Sequence, residues 1–317
     1  MSATPFHKHD RLSALFSSNI WVKRDDLQDV RSFKIRGAFN RISLLTEDER
    51  KNGIVCSSAG NHAQGVAYAC NYHNIHGTIF MPSPTPSQKV SQVSMFGGKN
   101  ITIKIVGDIY EDSYEASLVY SKKHKKTFIH PFDDEDVIIG QGTMALEILN
   151  QSSFPIDYLL VPIGGGGLIS GMINVFKQKS PKTRIIGIEP KGAPSMYESM
   201  MQNKRITLDR IDNFVDGAAV KTIGKISFDY CSKFLDDIVI VDEGEICQNI
   251  LTMYNNDAII VEPAGAMSIT GLNKMSKSIK DKNVVCLICG GNNDITRMSE
   301  IKAVSYTHLT LPTRTRG

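Results

Sequence analysis

Tyr158-Leu159-Leu160-Val161-Pro162-Ile163-Gly164-Gly165-Gly166-Gly167-Leu168-Ile169-Ser170-Gly171 reads as a strand that runs into four glycines and out into a helix. Consecutive glycines let backbone N–H groups converge on an anion, and a helix N-terminus adds the positive end of its dipole. The functional reading is a phosphate cup. The plainer one is a tight turn needing positive φ, but four glycines in a row exceed what a turn needs. The absent G-K-[ST] excludes a P-loop, and the strict G-x-G-x-x-G is not matched, which leaves dinucleotide binding as the alternative.

Working outward, strand-like and helix-like segments alternate on both sides. Upstream lie the strands Ile20–Val22, Gly53–Cys56, Gly77–Met81 and Ile101–Val106, with helical patterns at Ala63–Cys70, through Val90, Val93 and Phe96, and from about Glu111 to Lys122. Phe128-Ile129 opens a short strand, and after His130 the stretch Val137–Thr143 leads into a helix at Met144–Leu149. Downstream come the strands Arg184–Glu189, Asp237–Val241 and Val284–Ile288, with a helix over Glu245–Tyr254. Such alternation implies an α/β fold of parallel sheets with helices on both faces. Ligands of such folds bind beyond the carboxyl ends of the strands, where each polar or glycine-rich patch of this sequence falls.

Bulk properties exclude several classes. Over 317 residues the chain is 41% hydrophobic and 22% charged, ordinary globular composition with length for two domains or one large α/β unit. A formal net charge of +3 does not point to nucleic acid, and Ser121-Lys122-Lys123-His124-Lys125-Lys126 reads as a solvated helix end. No apolar run reaches the ~18 residues of a membrane span, and Met1–Pro5 has no signal-peptide core, so a cytoplasmic protein is expected. The six cysteines form no disulfide framework. Cys286-Leu287-Ile288-Cys289 matches C-x-x-C, but residues three apart on a strand face opposite sides, which disfavours redox pairing.

Two further stretches carry chemistry. Ser57-Ser58-Ala59-Gly60-Asn61-His62 joins a strand to a helix; it reads either as a carboxylate-binding loop or as an ordinary helix cap. Arg31-Ser32-Phe33-Lys34-Ile35-Arg36-Gly37-Ala38 places Lys34 after an aromatic residue and near a helix start. Helix-end dipoles and partial drying both make an amine give up its proton more readily, and such an amine attacks carbonyls. Alone, Lys34 is equally well a solvated surface charge.

Ser32–Ala38, Ser58–Gly65, the four-glycine loop, Glu262-Pro263-Ala264-Gly265-Ala266 and Gly290-Gly291-Asn292-Asn293-Asp294 occur in that order. This set resembles the threonine dehydratases (threonine deaminases), biosynthetic type, pyridoxal-phosphate enzymes of the tryptophan-synthase-β fold type. The resemblance covers roughly Thr4 to Ile301. It implies two doubly wound open-sheet domains: a large cofactor-binding one from residues 1–25 and 131–302, and a small substrate-side one from 26–130. It implies pyridoxal 5'-phosphate as cofactor, with Lys34 forming the Schiff base and then acting as base on the substrate Cα. Phe33 would pack near the ring and Asn61 would meet its phenolic oxygen. Gly164, Gly165, Gly166, Gly167 and Leu168 would hold the phosphate, and Cys289 would stand beside the pyridine nitrogen. Ser58, Ala59, Gly60, Asn61 and His62 would bind the substrate carboxylate. A neutral thiol cannot keep the pyridine nitrogen protonated, which suits loss of the β-hydroxyl better than transamination.

The expected reaction is dehydration and deamination of L-threonine to 2-oxobutanoate and ammonia, the first step of isoleucine synthesis, with L-serine to pyruvate as a side activity. Racemisation is the nearest rival. Relatives that racemise serine carry a serine at the place of Ala59, whose methyl group offers no proton to the second face of Cα. A cofactor-binding remnant without activity and a nucleotide-binding oxidoreductase stand as further alternatives. Partners are expected to be a small amino acid and further copies of the chain, as dimer or tetramer, with no nucleic acid and no membrane. Glu189-Pro190-Lys191-Gly192-Ala193 resembles a place where some relatives bind a cation, but a salt-bridged strand-end glutamate fits equally, and no metal is expected. Residues 303–317 show no helical period and are expected to be disordered or foreign to the family, with no regulatory domain and so no inhibition by isoleucine.

Overall fold

The computed structural model describes residues 2–310 of the 317, with side chains through Tyr306. In chain order the elements are β1 (Phe6–Lys8), α1 (Asp10–Phe16), β2 (Asn19–Arg24), α2 (Lys34–Ser43), α3 (Glu47–Asn52), β3 (Ile54–Ser57), α4 (Asn61–His73), β4 (Gly77–Met81), α5 (Ser87–Gly97), β5 (Ile101–Ile105), α6 (Tyr110–His124) and β6 (Thr127–Phe128). They continue with α7 (Glu135–Gln151), β7 (Tyr158–Pro162), α8 (Gly167–Lys179), β8 (Arg184–Pro190), α9 (Ser195–Met201), α10 (Lys225–Phe234), β9 (Asp237–Val241), α11 (Glu243–Asp257), α12 (Pro263–Met275), β10 (Asn283–Ile288) and α13 (Met298–Thr310). The architecture is α/β with two sheets, as the alternation implies.

The larger sheet has the order β1-β2-β10-β7-β8-β9, and all its pairings are parallel except β1 with β2. The smaller sheet, β5-β4-β3-β6, is wholly parallel. Strands covered on both faces read as continuous apolar runs, and every residue of β3, β4 and β7 is buried. Along β10, Val284, Cys286 and Ile288 enter one core while Val285 and Leu287 enter the other, followed by Cys289. The two cysteines of the C-x-x-C stretch therefore lie on opposite faces of the sheet, both buried and both free. A third core lies under the smaller sheet, where Ile54, Cys56 and Ile79 meet Ala38 and Ile42 of α2 and Val66 and Cys70 of α4.

Helix α7 begins nine residues before the expected Met144, at Glu135, after Asp134 accepts the Val137 N–H at 3.0 Å. Gly140 and Gly142, which break the apolar pattern, are contact points. A Cβ on Gly140 would lie 2.5 Å from the Arg36 carbonyl oxygen, and one on Gly142 would lie 3.1 Å from that of Gly171. These glycines let α7 press against α2 and α8.

Over 303–310 the expected lack of a helical period does not hold, since these residues continue α13. Ile301 is fully buried and Val304 packs on the core at helical spacing, so the apolar period is missed when the stretch is read only from Ala303 onward. Residues 311–317 lie outside the described residues. Among the described residues no helix is long and apolar enough to cross a membrane. The basic run 121–126 ends α6, with Lys125 in the left-handed cap, where cations complement the helix dipole.

Candidate active site

Both sheets reverse direction of growth at one point, and the two points face each other. In the larger sheet β7, β8 and β9 grow toward one edge while β10 lies on the other side of β7. In the smaller, β3, β4 and β5 grow one way while β6 lies on the other side of β3. Loops diverge above such a switch point and leave a crevice at the carboxyl ends of the strands. The loops leaving β7 and β10 are Ile163–Gly166 and Cys289–Asp294; those leaving β3 and β6 are Ser58–Gly60 and Ile129–Asp134. Lys34 joins them as the first residue of α2.

The Lys34 amine donates to the Pro131 carbonyl at 2.8 Å and stands 5.3 Å from the centre of the Phe33 ring. Removal from water lowers it from the usual lysine range to about 8, against the opposing pull of Cys289 and Glu262. The Phe33 N–H donates to the Cys289 carbonyl at 3.0 Å, and Ser32 bridges Gly290, so the lysine turn is sewn to the end of β10. Gly65 of α4 faces the Lys34 backbone, where a Cβ would lie 3.1 Å from its carbonyl carbon and oxygen. A side chain there would have to push the lysine turn back by a few tenths of an ångström.

The glycine loop leads into α8 through Gly166, which has φ +93°, the left-handed region that favours glycine. No side chain caps the start of α8, so its first N–H groups face the crevice without a protein acceptor. A Cβ on Gly165 would sit 2.3 Å from the Phe132 ring. Phe132 belongs to the short connection from β6 to α7, in which the His130 Nδ1 accepts from the Asp133 N–H at 2.8 Å and the Asp133 carboxylate caps α10 through Lys225 and Ile226.

In the loop after β3, the Ser58 hydroxyl accepts the Gly60 N–H at 3.2 Å, and a Cβ on Gly60 would meet nothing within 4 Å. Gly60 thus opens on free space. Asn61 and His62 start α4 with no side-chain cap, and their N–H groups point out of the helix end. The His62 ring turns away, with Nε2 3.0 Å from the Ile129 carbonyl, and burial together with the Lys34 charge holds it neutral, lowered to about 3. It is the backbone of His62, not its imidazole, that is placed for a carboxylate. Cys289 is buried, and its thiol lies 3.5 Å from the Ala264 carbonyl; burial first, then the Glu262 charge, pushes it well above the ordinary thiol range, so it is neutral.

The site residues read from the sequence lie in these loops and at the starts of α2, α4 and α8, and four more residues without an assigned role join them. Pro131 and Phe132 lie in a connection without periodicity. Glu262 entered the sequence reading only as part of the Glu262–Ala266 stretch, without a role, yet it reaches Asn61 across 201 positions. Asn292 reaches the same Asn61 across 231. Among the described residues Glu189 makes no salt bridge; its carboxylate accepts the Met196 and Tyr197 N–H groups, both at 2.8 Å, and so caps α9.

These residues fit pyridoxal phosphate: an uncapped helix end behind glycines for a phosphate, a half-dry amine for an aldehyde, an amide for a phenolic oxygen, and a neutral thiol. Buried polar atoms without partners, Ser32 Oγ, Ser227 Oγ and His62 Nδ1, lie in the same region as the lysine turn and the glycine loop.

Comparison with known proteins agrees. Residues 1–290 match the family described as pyridoxal-phosphate dependent enzyme. The biosynthetic L-threonine dehydratase IlvA of Halalkalibacterium halodurans is 54% identical over 305 residues, 96% of this chain and 74% of the relative. That of Bacillus subtilis is 51% identical over 299 residues, 94% of this chain and 71% of the relative. Among solved structures, the processed form of threonine deaminase isoform 2 from Solanum lycopersicum superposes with a TM-score of 0.92 at 37% identity, covering 96% of this chain and 84% of that one. Maize serine racemase superposes at 0.88 with 30% identity, over 97% of this chain and 94% of that one.

Proposed function

The chain belongs to the pyridoxal-phosphate dependent enzymes and, within them, to the biosynthetic threonine dehydratases, and from that premise we propose how its own residues share out the conversion of L-threonine to 2-oxobutanoate and ammonia. When bound, the cofactor supplies the electron sink that makes the substrate Cα acidic. Lys34 would hold it covalently, and its free amine would take the proton from the substrate Cα. An amine lowered to about 8 is partly neutral near neutral pH, as a base requires. The Gly164–Gly167 loop and Leu168 would hold the cofactor's phosphate by backbone N–H groups at the start of α8. Phe33 would pack near the ring, Asn61 would meet the phenolic oxygen, and the neutral Cys289 thiol would stand by the ring nitrogen. The N–H groups of the Ser58–His62 turn bind the substrate carboxylate and so orient Cα toward Lys34.

One observation carries this reading: an amine half withdrawn from water stands where the switch points of two sheets meet, between an uncapped glycine-lined helix end and an open loop at Gly60. Lys34→Ala should lose both the visible absorbance of bound cofactor and threonine deamination; a variant that keeps both refutes the assignment.

Ala59 leaves no hydroxyl to return a proton to the far face of Cα, so the same assay should yield no D-amino acid. L-serine is a side substrate, since one methyl group in a pocket is worth only ~1–3 kcal/mol of discrimination. A homo-oligomer fits the apolar side chains that α7 leaves exposed, Ile139 and Leu146, and light scattering giving a monomer's mass would exclude it.

A further inference from the structure

The Asn61 side chain lies between two partners that each suit one end of an amide. Its Nδ2 donates to Glu262 Oε1 at 2.6 Å, and its Oδ1 accepts from Asn292 Nδ2 at 2.7 Å. An ionised carboxylate has no hydrogen to give, so it faces the NH2 end. Asn292 is fixed in turn, because its Nδ2 also lies 2.9 Å from the Val30 carbonyl, which only accepts, and 2.9 Å from Gln64 Oε1. Glu262 occupies a seat made for it. It is 6% exposed, and a Cβ on Gly290 would lie 2.3 Å from its Oε1.

We propose that Glu262 is a positioning residue of this site: its carboxylate fixes the Asn61 amide with one N–H on Glu262 and turns the second toward the ring oxygen of the cofactor. This rests on the placement of Asn61 against the cofactor given above. Without the carboxylate only the Asn292 Nδ2 opposes a turned amide, and the Asn61 NH2 loses the acceptor that holds it on the Glu262 side.

The groups facing Glu262 come from several elements: Asp216 and Gly217 from the segment before α10, Lys89 from α5, Lys34 from α2, Asn61 from α4, and Cys289 with the Asn292 N–H from the end of β10. Burial raises the carboxyl to about 7, with Asp216 adding to the rise and the Asn61 bond, Lys89 and the Asn292 N–H opposing it. As pH falls through this value the acid gains an O–H that can donate to the Asn61 carbonyl oxygen. It then competes with Asn292 and frees the amide to turn over. Positioning is therefore complete above about 7 and lost below it.

The test uses the holoenzyme and Glu262→Gln, Asn61→Ala and their double variant. Turnover, cofactor affinity and the visible absorbance of bound cofactor are each followed against pH. Glu262→Gln should lower kcat about tenfold or more with KM nearly unchanged, and should flatten the change in absorbance near neutral pH. On the Asn61→Ala background the same substitution should change kcat by no more than about twofold, because Glu262 acts through that amide. Wild-type kcat and pH response in Glu262→Gln overturn the proposal, as does an undiminished loss on the Asn61→Ala background. Unchanged cofactor affinity and absorbance in Asn61→Ala alone overturn the placement of Asn61 itself, a separate failure. Should Glu262→Gln not fold, Glu262→Asp, which withdraws the oxygen by one methylene, must show the same dependence on Asn61.

Discussion

At residue scale, the state of the Lys34 amine governs how the protein takes up its cofactor. Only a neutral amine attacks an aldehyde, and Lys34 is lowered to about 8 by burial. Cofactor capture by the cofactor-free protein should speed up with pH and level off above about 8, as followed by stopped-flow absorbance from about pH 6.5 to about 9.5. A rate still climbing toward the ordinary lysine range of ~10.4 would show a solvated amine instead. The sign for stability follows from the same shift. The unfolded chain keeps its lysine proton to higher pH than the folded one, so the cofactor-free protein gains stability as pH rises from about 8. Lys34 was legible in the sequence because its neighbours in the chain, Phe33 and the helix start, are also its neighbours in space. Glu262 was not, since its meaning comes from Asn61, which no local pattern connects to it.

At the scale of elements, glycines decide how closely helices meet. Gly140→Ala would place a methyl group 2.5 Å from the Arg36 carbonyl oxygen and 2.7 Å from the Gly37 Cα, both backbone atoms that cannot swing aside. It should cost about 1–3 kcal/mol in urea unfolding and lower turnover as well, because α7 would push on the helix that begins with Lys34. A Gly140→Ala variant of unchanged midpoint and activity would show that α2 and α7 have slack. The strands were the most legible elements. Gly77–Met81 and Asp237–Val241 stand as read, since short apolar runs between turn residues leave little latitude. Helix α7 was legible only in its second half, because the glycines that dock it look like loop residues in a one-dimensional pattern.

At the scale of the molecule, a buried polar cluster ties the N-terminal segment, the larger sheet and the lysine helix together. Arg36 is bidentate on Asp25, at 2.6 and 2.9 Å, and on Glu147, at 2.6 and 2.9 Å, while Lys23 pairs with Glu147 at 2.6 Å. Burial alone would raise the Glu147 carboxyl, but the bonds from Arg36 and Lys23 hold it below the usual range. Arg36→Met should cost about 3–5 kcal/mol, because it leaves Asp25 buried without its guanidinium. Chemical unfolding would measure this, and a loss under ~1 kcal/mol would mean that the cluster contributes little. The two-sheet plan was legible from the alternation of elements, but this cluster was not, since its members are scattered from Lys23 to Glu147. The smaller sheet is joined to the larger by two strands of chain only, the one from β2 into α2 and the one from β6 into α7. Lys34 lies at the end of the first, Pro131 lies in the second, and the two touch through a 2.8 Å hydrogen bond. A body turning about a pivot displaces each point in proportion to its lever arm. Any swing of the smaller sheet about this pair would carry the far end of α5 furthest and leave the amine almost still. Reactivity is therefore set by the residues beside the pivot, and substitutions at the far edge of the smaller sheet should leave the surroundings of the amine unchanged.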